Sequence, residues 1–239
     1  MFWWIVATLC AFFIKGLCGF ANTLVFTTIL SFGNSNVNIS PVELILGYPT
    51  NFILTCKERH SIKWGVCLPL ALLVIAGSMP GVLLLKNTDT SVIKMIFGAF
   101  TVFMGIEMLL REFQIGTVRE SKLLLAIIGV LSGVLCGLYG VGALLGAYIS
   151  RVTKGSSEFK ANICVVFFVE NTFRIILYVL WGIITFDILK QVLILLPVML
   201  VGLCLGMLSG KFLDENIVRR LVTLMLVLSG LALIWSNIA

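Results

Sequence analysis

The chain has 239 residues, of which 60% are hydrophobic and 12% charged, with a net charge of +6 and a mean hydropathy of +1.13. This composition excludes a soluble globular domain and indicates a polytopic membrane protein. The net positive charge does not indicate nucleic-acid binding, because the basic residues lie in short loops between apolar segments, where they set membrane orientation.

Eight apolar segments follow one another, four in each half of the chain. They cover residues 2–33, 41–56, 64–85 and 91–110, and then 123–150, 159–182, 188–210 and 216–236. Glycines and polar residues recur at matching places in the two halves, which predicts a duplicated unit. We therefore predict an N-terminal membrane repeat over 1–110, a cytoplasmic linker over 111–121 and a C-terminal membrane repeat over 122–239.

The first segment of each half is interrupted by a glycine-rich stretch. These stretches read Lys15-Gly16-Leu17-Cys18-Gly19-Phe20 and Leu135-Cys136-Gly137-Leu138-Tyr139-Gly140-Val141-Gly142, and their Cys-Gly pairs align. Each interrupted segment is either one long bent helix or a re-entrant hairpin of two half-helices. A half-helix of about 14 residues rises only ~21 Å, which is short of the ~30 Å hydrocarbon core.

Loop charge separates these two interpretations. If all eight segments cross the membrane, the fifteen loop cations divide almost equally between its two sides. If the first and fifth segments are hairpins, twelve of them lie on one side and three on the other. The positive-inside rule favours the hairpins, which makes the two repeats inverted and puts both termini outside.

Helix caps and prolines mark the remaining segments. Ser40, Pro41 and Glu43 are typical of a helix start, as an N-cap, a first-turn proline and a capping-box glutamate. Pro69, Pro80 and Pro197 lie inside apolar segments, where they predict kinks and not helix ends.

The order and duplication of these glycine motifs, together with the chain length, resemble the TauE/SafE family of sulfite and organosulfonate exporters. The resemblance covers essentially the whole chain, although Ala21-Asn22 stands where the family has a richer glycine run. It implies transport of a small sulfur-containing anion or another organic acid anion across the cytoplasmic membrane. The expected fold is an all-α polytopic membrane protein of two inverted repeats, each a re-entrant hairpin plus three transmembrane helices.

The helix breaks are the predicted substrate site. A half-helix that begins at mid-membrane has unpaired N–H groups and a positive dipole end, which together suit an anion. Lys15 is the sharpest single candidate, since an intramembrane cation is costly and usually faces the bundle interior. The alternative for Lys15 is snorkelling or a structural contact to free carbonyls. The predicted substrate-binding residues are Lys15, Cys18, Gly19, Asn22, Thr50, Asn51, Cys136, Gly137, Tyr139, Gly140, Asn171 and Arg174.

Glu170 and Arg174 are four residues apart, so they share one helix face and can form an ion pair. In one interpretation the pair is electrically neutral and only stabilises the structure. In the other the pair couples transport to protons, because the anion competes for Arg174 and frees Glu170 to take a proton. The second hypothesis makes Glu170 the proton-coupling residue. For the glycines of the third segments, Gly77, Gly81, Gly202 and Gly206, helix packing is the favoured role.

The predicted function is therefore a secondary anion transporter with alternating access around a midplane site. No cofactor and no metal is expected, and the expected partners are the anion, the lipid bilayer and a coupling ion, H⁺ or Na⁺. A membrane-embedded enzyme that uses Cys18 or Cys136 is the less favoured alternative, because the single histidine, His60, lies in a basic loop.

Overall fold

The computed structural model describes residues 1–31, 36–87, 122–140, 142–153 and 155–210, together with a few isolated positions beyond them. The predicted segments 91–110 and 216–236 and the linker 111–121 lie outside these described residues. Within them the chain is helical and contains no strand.

The helices follow the predicted apolar segments closely. They are α1 Phe2–Cys18, α2 Asn22–Ser31, α3 Asn36–Lys57, α4 Trp64–Asn87, α5 Lys122–Tyr139, α6 Ala143–Val152, α7 Ser156–Leu180 and α8 Phe186–Ser209, with a 3₁₀ turn at Arg59–Ser61. Three described helical stretches are long and apolar enough to cross a membrane, namely Trp64–Leu84, Ser157–Leu180 and Phe186–Ser209. Pro69 and Pro80 lie inside α4 and Pro197 inside α8, so the prediction that they do not end helices is confirmed.

Both predicted breaks are present, and each is made by a residue in the left-handed conformation. Gly19 has φ 83° and ends α1, where its N–H donates to the Lys15 carbonyl. Gly140 has φ 71°, and its N–H donates to the Cys136 carbonyl in the same way. Glycine adopts this conformation without the steric cost that a Cβ brings.

At the first break the chain turns back on itself. The Trp4 ring in α1 and the Phe26 ring in α2 have centroids only 5.8 Å apart. One straight helix would separate these residues by about 33 Å at 1.5 Å per residue. Helices α1 and α2 therefore form a hairpin, and they share an apolar cluster that includes Phe12 and Leu30.

Helices from the two halves of the chain pack against each other. Helix α1 packs most closely on α8, and α5 packs on α4. At both crossings glycines let the backbones meet, since a methyl group on Gly16 would lie 2.9 Å from Gly206 Cα and one on Gly81 would lie 3.0 Å from Gly137 Cα. The packing role predicted for the third-segment glycines is confirmed.

The predicted start of the second segment is wrong. Helix α3 begins at Asn36, so Ser40, Pro41 and Glu43 lie inside it and do not cap it. The Ser40 hydroxyl is instead 3.0 Å from the Tyr178 hydroxyl. A proline removes one backbone hydrogen bond but does not have to end a helix that neighbouring helices hold in place.

Candidate functional site

Both helix breaks contribute residues to a cavity of about 20 Å³. Residues from both breaks and from α1, α2, α3 and α7 line it: Lys15, Phe20, Ala21, Asn22, Thr23, Leu24, Glu43, Asn51, Gly140, Gly142, Phe167 and Asn171. This volume admits little more than one water molecule. A larger ligand therefore needs the lining side chains to move apart.

The first turn of α2 forms one wall of the cavity. The run from Ala21 to Leu24 lines it without interruption. The first N–H groups of a helix have no partner within the helix and lie at the positive end of its dipole. Helix α2 has ten residues, which is long enough for this end to carry a useful partial charge. The wall is therefore suited to a negatively charged ligand.

Lys15 contributes a buried cation beside this wall. It lies in the last turn of α1, is 2% exposed and lines the cavity. Among the described residues, no ion pair within 4 Å involves its ammonium group. An ammonium group that is buried without a close ion pair is costly, which makes Lys15 a candidate to pair with a negatively charged ligand. Asn51 also has an unpaired buried atom at the cavity, because its Oδ1, a hydrogen-bond acceptor, has no partner in the described part of the chain.

Gly47 leaves the space into which these groups project. A methyl group on Gly47 would lie 3.2 Å from Glu43 Oε1, 3.6 Å from Asn22 Nδ2 and 3.9 Å from Lys15 Nζ. An acceptor, a donor and a cation from three different helices therefore converge on one point. Any side chain at position 47 would occupy that point.

Two carboxylates and a guanidinium form a buried network next to the cavity. Glu43 Oε1 accepts hydrogen bonds from Asn22 Nδ2 and, at 2.8 Å, from Thr23 Oγ1. Arg174 lies between the two glutamates, with Nη2 3.9 Å from Glu43 Oε2 and Nη1 3.9 Å from Glu170 Oε1. The pairing predicted for Glu170 and Arg174 is thus present, but Arg174 also pairs with a second carboxylate.

Arg174 also braces the second break. Its Nη1 donates to the Cys136 carbonyl in the last turn of α5, where a cation complements the negative end of the helix dipole. A methyl group on Gly140 would lie 3.0 Å from both terminal nitrogens of the guanidinium. The guanidinium therefore fits against the backbone at Gly140 only because this residue has no side chain.

The structure brings together five of the predicted substrate residues at the cavity and leaves six others away from its surface. Those that line it are Lys15, Asn22, Asn51, Gly140 and Asn171, whereas Cys18, Gly19, Thr50, Cys136, Gly137 and Arg174 do not. The Tyr139 side chain lies outside the described part of the structure. Glu170 lies behind the cavity, where the Ser78 hydroxyl donates to it at 3.2 Å.

Within the described ranges, no group of three or more His, Cys, Asp or Glu side chains is placed to hold a metal ion.

The aligned Cys-Gly pairs are not structurally equivalent. The left-handed break residues are Gly19 and Gly140, so the two breaks correspond three residues further along than the sequence motif indicates. Gly137 lies inside α5 and packs on α4, which rules out a place for it at the break. Lys15 then corresponds to Cys136, because each carbonyl accepts from its break glycine.

Glu43 and Gly47 are the site residues that sequence reasoning missed. Glu43 fitted a capping box, so it was assigned only that local role. A carboxylate inside an apolar segment is also a sign of a functional site, and this sign was overlooked. Gly47 lies one helical turn after Glu43 and carries no motif of its own. Only its contacts in the folded chain identify it.

A family model described as sulfite exporter TauE/SafE matches residues 4–233. The chain belongs to the TauE/SafE family. The matched range includes both helix breaks and all the residues that line the cavity. Because TauE/SafE proteins are membrane transporters of the sulfite and sulfonate exporter type, the apolar helices are those of a multi-pass membrane protein. No curated protein and no solved structure matches this chain.

Proposed function

We propose that this TauE/SafE protein is a secondary transporter of a small anion, sulfite or a sulfonate, with its substrate site in the cavity between the two helix breaks. The observation that carries the proposal is the Lys15 ammonium, which is buried at the cavity with no close ion pair among the described residues. An anion there would be paired with Lys15 and would lie at the positive end of α2.

The transport mechanism in this proposal is alternating access in the cytoplasmic membrane. The two breaks would be the tips of oppositely inserted hairpins, each followed by three crossing helices, with both chain termini outside. The close glycine crossings of α1 on α8 and of α5 on α4 join the two repeats. Small rotations about these crossings would open the cavity first to one side and then to the other.

The amide side chains would give the site its selectivity for oxyanions. Asn22, Asn51 and Asn171 line the cavity and offer N–H donors around Lys15. Several donors at fixed positions favour a ligand with oxygens pointing in several directions, such as a sulfite or sulfonate group, over a spherical halide. The phenylalanine rings at Phe20 and Phe167 form the apolar part of the wall.

Reconstituted uptake tests the proposal. Proteoliposomes would be assayed with sulfite, sulfoacetate, taurine and thiosulfate, and wild type would be compared with Lys15→Met, which keeps the length of the side chain without its charge. We expect at least about a tenfold loss of transport, since each 1.4 kcal/mol of lost anion attraction is a factor of ten. Equal transport by the two proteins would remove Lys15 from the site.

Two further variants separate charge from space. Gly47→Ala places a methyl group among Lys15, Asn22 and Glu43 without changing any charge, and we expect it to reduce transport. Lys190→Met removes an exposed lysine of α8 and serves as the matched charge control, with transport unchanged. If no anion in the panel is transported by wild type but another organic acid is, the substrate class changes while the site remains.

A further inference from the structure

Glu43 occupies the place that the proposed site offers to an anion. Its carboxylate lines the cavity, is almost fully buried and accepts hydrogen bonds from Asn22 and Thr23. These two residues form the first turn of α2, whose positive end faces the cavity. A substrate anion and the Glu43 carboxylate would therefore compete for the same donors.

The charges around Glu43 support this competition. The titratable groups that face it are Lys15 from α1, Cys136 from α5, and Glu170, Arg174 and Tyr178 from α7. With both glutamates ionised, their charges balance those of Lys15 and Arg174, and a substrate anion would add an uncompensated negative charge in a buried site. Such a charge is costly at low dielectric. A neutral Glu43 leaves one positive charge in excess, which matches a monoanion.

Glu170 is less suited to this role. Its carboxylate does not line the cavity, and it is held by the Ser78 hydroxyl of α4 and by Arg174 on its own helix. A substrate in the cavity would meet Glu43 first. The proton-coupling role predicted for Glu170 is therefore better filled by Glu43.

We propose that Glu43 couples anion transport to protons, because its protonation releases its hydrogen-bond donors to the substrate anion. A proton from the aqueous phase binds a Glu43 carboxylate oxygen, the hydrogen bonds from Asn22 and Thr23 are released to the anion, and one proton is taken up for each anion bound. When the anion leaves, Glu43 loses this proton and accepts the two hydrogen bonds again. The inference rests on the proposed anion site and names its coupling ion as H⁺.

Anion binding in detergent tests the inference. Calorimetry with sulfite over about pH 5.5 to 8.5 would compare wild type with Glu43→Gln and Glu170→Gln, and proton uptake would be measured in weak buffer. Sulfite itself titrates in this range, but it does so equally for all three proteins, so their difference reports on the protein. At pH values where Glu43 is ionised, the affinity of the wild-type protein for sulfite should fall by about tenfold for each unit of pH increase, since one proton is taken up on binding. This fall adds to the effect of the titration of sulfite itself.

In Glu43→Gln this additional pH dependence and the uptake of about one proton per anion should both be lost. Glu170→Gln should retain both. A Glu43→Gln protein with wild-type pH dependence and wild-type proton uptake overturns the inference and leaves the anion site intact. If wild type binds neither sulfite nor sulfoacetate at any pH, the proposed function fails, and the inference fails with it.

A second variant guards against loss of the fold in Glu43→Gln. Thr23→Val removes the hydroxyl that donates to the Glu43 carboxylate but leaves the carboxylate in place. The ionised form of Glu43 loses a hydrogen bond, so protonation should occur at higher pH, and the fall in anion affinity should move to higher pH with it. An unchanged profile in a Thr23→Val protein that elutes as wild type in size-exclusion chromatography would contradict the inference.

Discussion

The two helix breaks of this transporter have similar backbones and different chemistry. Each ends a half-helix at a left-handed glycine whose N–H returns to the carbonyl four residues earlier. At the first break the cation is Lys15, which belongs to the half-helix itself and has no close ion pair among the described residues. At the second break the cation is Arg174, which belongs to α7 and is shared between two carboxylates and a carbonyl.

This difference indicates how the two breaks divide their tasks. A cation that is already paired holds structure together, since its charge is neutralised by the protein. A cation without a close partner has its charge available to a ligand. The first break therefore carries the anion chemistry that we propose, and the second break supplies the rigid wall against which it acts.

Loss of Arg174 should have the largest effect on stability. Arg174→Leu leaves the buried carboxylates of Glu43 and Glu170 without their shared cation, which should cost about 3–5 kcal/mol of folding free energy. The measurement is chemical unfolding in detergent. The control is Lys190→Leu in the exposed Lys190–Asp187 pair, which should change stability little. If Lys15→Met lowered the free energy of unfolding as much as Arg174→Leu does, the proposed difference between a structural cation and a ligand-binding cation would be contradicted.

The glycine crossings should respond alike at the two breaks. Gly206→Ala and Gly81→Ala each place a methyl group 3.0 Å from a glycine Cα on the facing helix. Both should destabilise the protein by about 1–3 kcal/mol through overpacking. Gly65→Ala on α4 is the matched control, because nothing lies within 4 Å of the added methyl group, and it should be neutral or slightly stabilising. Strongly unequal costs at Gly206 and Gly81 would show that the two crossings are not equivalent.

The smallest effect concerns Ala21, which is left-handed although it is not a glycine. Ala21 at the first break has φ 70°, a conformation that costs a residue with a Cβ about 1–2 kcal/mol. Ala21→Gly removes this strain but raises the entropy of the unfolded chain by about 0.4–1 kcal/mol. A net stabilisation of about 0.5–1 kcal/mol should remain, measured as a rise in thermal midpoint.

At the second break, replacement of the left-handed glycine by alanine should lower the stability of the protein. Gly140→Ala brings the same strain and also places a methyl group 3.0 Å from the Arg174 guanidinium. It should therefore destabilise the protein by more than Ala21→Gly stabilises it. Stabilisation by Gly140→Ala would contradict the bracing role of Arg174.

Much of the architecture follows from local features of the sequence. Apolar length and glycine position predicted both interrupted helices, and the fold-back at the first break agrees with the hairpin interpretation. The four-residue spacing of Glu170 and Arg174 predicted their pairing, because helical geometry alone brings such residues together. Lys15 was recognisable for the same kind of reason, since a lysine between apolar residues is unusual wherever the chain folds.

Within the described residues, what the sequence by itself determined is the order of the helices, their breaks and the isolated charges within them, since these depend on residues close together in the chain. Only the tertiary structure decided which of them meet. It brought Glu43 from α3 to the first turn of α2, assigned Arg174 to the opposite break and put Gly137 in a helix crossing. These outcomes depend on contacts between helices whose residues lie twenty or more positions apart in the chain, and no local pattern encodes such contacts.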